Sequence, residues 1–137
     1  MAPNKNVMKR YIFYFAVMTC LGLFFSNCKK DLRSDYLGEW DFRVERYKTN
    51  VDFIGQHEHD TIFYTGKIMK GNDDKELIIK YTKDNLLLTT VLDDGTLDDL
   101  PTHYCTGKFR NENNIEIYLK WGGLGGGTVH VIDGVKK

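Results

Sequence analysis

From Trp40 onward the chain alternates apolar and polar residues with a period of two, and this excludes most folds open to 137 residues. Trp40, Phe42 and Val44 are separated by Asp41, Arg43 and Glu45; Ile115, Ile117, Leu119 and Trp121 are separated by Glu116, Tyr118 and Lys120. Successive side chains point to opposite faces only in an extended strand, so each run predicts a strand with one face buried and one solvated. HDTIFYTGKIMK alternates more loosely through Ile62, Tyr64, Gly66 and Ile68. KELIIKYT sets Leu77, Ile79 and Tyr81 on one face, and HYCTGKFR and GTVHVIDGV add two further strands. NLLLTTVLD, rich in β-branched residues, reads as a strand covered on both faces.

The breaks between these runs are turn chemistry. GNDD, KDN, DDG and NENN combine Gly, Asn and Asp, which tolerate positive φ or cap a turn through their side chains, and Asp94-Gly95 is the strongest hairpin signal. No segment after the first 27 residues shows a helical period. About seven short strands joined by tight turns predict an all-β antiparallel meander over residues 38–137, closed into a small barrel or packed as a sandwich. Two connections are longer, KTNVDFIGQHEH after the first strand and TLDDLPT before the fifth, and long loops on a β scaffold are where binding usually resides.

The first 27 residues differ in kind. YIFYFAVMTCLGLFF, residues 11–25, is fifteen residues without a charge, behind Lys9 and Arg10. That is short for a membrane span of about 20 residues and fits the apolar region of a secretory signal, helical in form. Met1 and Met8 both stand as its start. Phe25-Ser26-Asn27 is a poor match to the small-residue site of an ordinary signal peptidase. The stretch Phe25-Ser26-Asn27-Cys28, followed by Lys29-Lys30-Asp31, resembles the lipoprotein signals of the Bacteroidota, in which the cysteine is lipidated and becomes the new N-terminus. The resemblance implies a signal peptide over 1–27, two or three acyl chains on Cys28, and a solvated tether over 28–37. It places the body at the outer membrane, on its periplasmic or its surface face. Two or more chains hold a protein firmly, whereas one binds only marginally.

The charge distribution agrees with export and argues against nucleic acid. The leader holds three of the 19 basic residues and none of the 19 acidic ones, which leaves the remainder at −3. Phosphate recognition depends on clustered positive charge, and this body has none to spare.

At the head of the first strand, Gly38-Glu39-Trp40 resembles the G-x-W signature of lipocalins. There the tryptophan closes the barrel floor beneath a basic residue near the last strand, a part open to Lys136 or Lys137. Pro101-Thr102-His103-Tyr104 stands where a second lipocalin motif would, with His in place of Asp. Gly38 and Trp40 are therefore read as structural. The whole layout is similar to small Bacteroidota lipoproteins with a lipocalin-like or sandwich domain, a likeness that brings no activity with it.

The residues that carry chemistry form few constellations. GQHEHD places His57 and His59 with Glu58 and Asp60 in one short loop of ligand-type side chains, but a structural zinc needs four ligands and only His103 or Cys105 could complete one from afar, so no metal is expected. Cys105 is the one thiol left once Cys20 is removed with the signal and Cys28 is lipidated, which excludes a disulfide in the mature body. His103, two residues away on the same strand face, is the base a nucleophilic Cys105 would need, yet a core thiol fits the composition better. WGGLGGG lacks the Lys-Ser/Thr pair of a phosphate loop and reads as a hairpin between the last two strands. Trp121 beside it offers a flat face for a sugar ring, or a core position in line with Leu119. The expectation is a protein with no catalytic residues and no cofactor, attached to the membrane through Cys28. Its role is a binding module for a small apolar or glycan ligand, with Trp121, His57 and His59 as candidate ligand residues. The second reading is a protein-interaction or accessory subunit of the envelope, such as an inhibitor of a lytic enzyme.

Overall fold

A computed structural model of the protein describes residues 31–50, 57–123 and 126–137, apart from the side chains of Asn50 and His57. The expected signal helix and Cys28 lie outside the described residues. Eight antiparallel strands form one sheet: β1 (Gly38–Asn50), β2 (His57–Lys70), β3 (Glu76–Lys80), β4 (Leu86–Val91), β5 (Leu97–Asp98), β6 (Thr106–Asn111), β7 (Asn114–Gly123) and β8 (Gly126–Lys136). Their spatial order is β5-β4-β3-β2-β1-β8-β7-β6, a meander in which the first and last strands pair along their length. The two ends of the sheet meet through the bridge Thr96↔Lys108 and a bond from the Phe109 amide to the Gly95 carbonyl at 2.9 Å, so the barrel is nearly closed. The strand beyond the expected seven is β5, two residues within the segment read as a loop.

The alternation places the strand faces as expected. Trp40, Val44, Leu77, Ile79, Val91, Leu119 and Ile132 are each 0 % exposed, which leaves no water-sized void against them. The barrel is filled by its own side chains. β4 departs from expectation: Leu87, Thr89 and Val91 point inward, whereas Leu86 and Leu88 remain 65 % and 49 % exposed. A barrel wall has only one protein-covered face, so β4 cannot be buried on both.

Two glycines make room for one ring, that of Phe42, in this interior. Gly134 sits directly opposite Phe42. A Cβ there would come within 2.7 Å of the Phe42 ring, and one on Gly66 would lie 1.9 Å from the Lys80 carbonyl oxygen. At the turn joining β4 to β5, Gly95 adopts φ +81°, and the Asp94 carboxylate accepts from the amide and hydroxyl of Thr96 at 3.0 and 2.8 Å.

The folded body begins at Asp31, inside what reads as tether. Residues Leu32–Asp35 form a 3-10 turn whose N-cap, Asp31, accepts from the Arg33 amide. Side chains then fasten this turn to the barrel floor. Lys70 reaches Asp31 at 2.7 Å, and Arg33 donates to the Asp73 carbonyl at 2.8 Å. Arg33 and Lys70 hold the Asp31 carboxyl well below the usual carboxylate range. Trp40 Nε1 donates to the Tyr36 carbonyl at 2.9 Å, and the Tyr36 ring stacks on Phe109 with centroids 3.8 Å apart. Lys136 lies opposite Trp40 in register and donates to the Asp35 carbonyl at 2.8 Å. Of the two C-terminal lysines, Lys136 therefore holds the floor, while Lys137 approaches Asp41 at 3.5 Å on the outside.

Candidate mouth site

Because the strands alternate in direction, the end of β1, the start of β2, the segment 99–105 and the β7–β8 hairpin all lie at the end away from Trp40. At this mouth the inward positions change from apolar to polar. Val44 is followed on the same face by Arg46 and Lys48, Ile62 is preceded by Asp60 and Glu58, and Ile132 by His130 and Thr128. The register sets Arg46 between Asp60 on β2 and His130 on β8. Arg46 grips the Asp60 carboxylate through two nitrogens, Nε to Oδ1 at 2.8 Å and Nη2 to Oδ2. The fork of a guanidinium matches the two oxygens of a carboxylate, which makes this the best-oriented ion pair of the rim. Lys48 faces Glu58 more loosely, at 3.9 Å.

His130 forms the base of the mouth and is buried. Its Nδ1 lies 3.3 Å from the Tyr81 hydroxyl, and its ring meets the edge of Trp121 at a centroid separation of 4.9 Å. Burial, and then Arg46 beside it, hold the imidazole below its ordinary pKa, with Asp60 opposing them. Burial also pushes the Tyr81 hydroxyl up to about 12. Both groups are thus neutral at pH 7, as a low-dielectric base requires. Above them is a concavity of about 400 Å³ lined by Arg46, Lys48, Glu58, His59, Asp60, Thr128 and His130.

The groups facing His130 make its titration testable. Arg46 from β1, Asp60 from β2 and Tyr81 after β3 surround it, and its folded pKa is depressed. The unfolded chain takes up a proton near pH 6.5 and the folded chain only below that. Stability should therefore be fully present above about pH 6.5 and fall on acidification, before the carboxylates titrate near pH 4. Urea unfolding between pH 7.5 and 5 should show this slope, and His130→Gln should flatten it. An equal slope in both proteins would show that His130 titrates in the fold as it does in the unfolded chain.

The candidates from the sequence are partly brought together. Trp121 reaches the mouth, half-buried and in contact with His130. His59 is not in a loop but in β2, exposed, with its ring stacked on Tyr47 at 4.4 Å. His57 opens the same strand, and its side chain lies outside the described residues. Among the described residues no three His, Cys, Asp or Glu side chains stand close enough to hold a metal ion.

Cys105 and His103 precede β6 rather than sharing a strand face. The buried Cys105 thiol accepts from the Lys120 amide at 3.3 Å and lies 3.2 Å from the Thr102 hydroxyl, while the exposed His103 lies against the Tyr104 ring at a tilt of 42°. Segment 101–104 sits toward the mouth and takes no part in the Trp40 floor. Sequence reasoning does not single out Arg46 or His130, places Tyr81 only on the inward face of its strand, and marks Asp60 only as a neighbour of His57 and His59. The available signal is parity: each continues the inward face of a strand where an apolar residue is due.

These features define an eight-stranded, nearly closed antiparallel barrel with a packed interior, one floor sealed by Trp40 and one polar mouth. Comparison with known proteins finds no family model, no curated protein and no solved structure that matches this chain.

Proposed function

We propose that this protein is a lipid-anchored, non-catalytic binding module of a bacterial envelope, held by acyl chains on Cys28, which takes a polar ligand of the glycan class at the barrel mouth. The observation that carries the reading is the combination at the mouth of paired acids and bases with an aromatic edge, above an interior that is filled. A filled barrel offers no room for an enclosed apolar ligand, so of the two ligand classes the sequence admits, the polar one is favoured. Arg46 and Lys48 supply donors, Asp60 and Glu58 supply acceptors, and the net charge of the four is zero, a lining that suits hydroxyl groups rather than a strong anion or cation. Trp121 lines the neighbouring concavity with Thr49 and Tyr104, and adds there an apolar surface of the kind a sugar ring covers.

Glycan-array screening of the purified protein, followed by titration of the best ligand, tests the mouth. Arg46→Gln and Trp121→Ala should each weaken binding roughly tenfold, the loss of about one charged hydrogen bond or one aromatic contact. Unchanged affinity in both variants would remove the mouth from the reading. The anchor has its own test. Cys28→Ser, once the signal is removed, should leave the body folded and in the soluble fraction, and continued sedimentation with membranes would count against lipidation.

The protein-interaction reading has one observation in its favour. On the outer wall, Phe63 and Val135 stand 76 % and 54 % exposed on either side of β1, beside a shallow groove lined also by Arg43 and Asp133. Exposed apolar side chains rimmed by charge are a feature of partner surfaces.

A further inference from the structure

β2 is paired on one side only for most of its length. It pairs with β1 from His57 to Ile68, and with β3 only from Lys67 to Lys70. β3 stops there because the chain turns away: the Thr82 hydroxyl accepts from the Asn85 amide and side chain at 3.0 and 2.9 Å and starts the return as β4. Alternate residues of an antiparallel strand send their N–H and C=O to opposite sides, so from His57 to Gly66 every second residue directs both away from β1. Among the described residues no other strand or backbone group pairs with this edge. The side chains turn the other way as well. His59, Asp60 and Thr65 engage Tyr47, Arg46 and Asp41, all on β1.

An open edge is a template for another strand, and proteins that keep one bare blunt it with lysine, proline or a bulge. From Thr61 to Gly66 this edge has none of the three, and no charge. Phe63, on its outer face, is 76 % exposed, more than any other large apolar side chain among the described residues. Register selects the occupant. A second copy turned about a two-fold axis at Ile62 sets Thr61 against Phe63, Asp60 against Tyr64 and Glu58 against Gly66. A β-branched residue opposite an aromatic one stabilises a strand pair, and neither acid meets another acid. The pairing uses the open edge from Glu58 to Gly66 and stops where Lys80 already faces Lys67. We infer that two copies of this chain join through β2 in antiparallel register, each sheet continuing into the other. The inference needs neither the lipid anchor nor the mouth ligand. In the pair the two mouths open in opposite directions, and Tyr64 of each copy stands opposite Asp60, a mouth residue of the other.

Sedimentation velocity of the purified protein, with detergent micelles kept in excess over protein, should show the protein mass double as concentration rises. In the same samples, hydrogen exchange of alternate amides between Glu58 and Gly66 should slow about tenfold, while the amides of β7 stay unchanged. Thr61→Lys with Phe63→Lys puts like charges opposite each other across the axis and should leave a folded monomer, because both side chains are exposed. Thr61→Glu with Phe63→Glu should do the same, and mixing the two variants should restore the pair. A protein that stays monomeric at every concentration, a dimer that survives the lysine substitutions, or folded variants of opposite charge that fail to recombine would each overturn the inference. Capture of a different protein on this edge, without self-association, would overturn it too. The exchange measurement uses the unsubstituted chain and decides the question even where a variant fails to fold: protection that does not change with concentration counts against the pair.

Discussion

Trp40→Ala is expected to destabilise the barrel by about 3–5 kcal/mol, the range for truncating a large buried aromatic. Trp40 is fully enclosed, its Nε1 bonds the Tyr36 carbonyl, and its ring meets Phe109 edge-on at a centroid distance of 5.8 Å. Truncation opens a void that the surrounding strands cannot close, because β1 is paired on both sides along its whole length. It also leaves the Tyr36 carbonyl without its partner, loosening the 3-10 turn over the floor. Urea unfolding followed by circular dichroism measures the change. Trp121→Ala provides the internal contrast, since a half-buried residue at the rim should cost much less. A loss below about 1 kcal/mol for Trp40→Ala would refute the floor assignment.

The second large effect comes from adding atoms rather than removing them. Gly66→Ala should cost roughly 3 kcal/mol, at or beyond the upper end of ordinary overpacking. The new methyl would collide with the Lys80 carbonyl oxygen and with the Phe42 ring, at 1.9 and 2.9 Å. The ring can turn aside, but the carbonyl belongs to the adjoining strand, so relief requires β2 and β3 to separate. Gly123→Ala, where a Cβ meets nothing within 4 Å, should stay within about 0.5 kcal/mol. Thermal unfolding of the two variants side by side separates the close approach from any general effect of replacing glycine, and similar midpoints would sink the steric account.

Much of the fold is legible in the sequence because a strand carries its own signature. Trp40, Phe42 and Val44, or Ile115, Ile117 and Leu119, alternate so regularly that their faces can be assigned without a structure. β5 is not legible, because two residues cannot display a period; Leu97–Asp98 becomes a strand only by pairing with Thr90 and Val91. The double coverage expected for β4 fails for a related reason. Its β-branched richness signals a strand but not the number of protein layers around it, which is a property of the closed wall.

The mouth shows the same division. Trp121 stands out in the sequence as an aromatic beside a glycine run, and it does reach the mouth. His57 and His59 stand out because they are close in the chain, and His59, although its ring stacks on Tyr47, does line the edge of the mouth concavity. The residues that build the mouth are far apart in sequence: Arg46, Asp60, Tyr81 and His130 come from four separate segments, and only Asp60 has a chemical neighbour in the chain, beside His57 and His59. Only the pairing of β1 with both β2 and β8 sets Arg46 beside Asp60 and His130.

What the sequence determined by itself is therefore local: which segments are strands, which side of each faces inward, where the turns fall, and that an uncharged apolar run stands shortly before a cysteine. These follow from backbone geometry and from side chains within a few residues of each other. The tertiary structure alone decided the number of strands, the closure of β1 on β8, the filling of the interior and the meeting of four distant polar side chains at one end. Those depend on register between strands, and register is settled by packing across the whole barrel, where every inward side chain must share one enclosed volume.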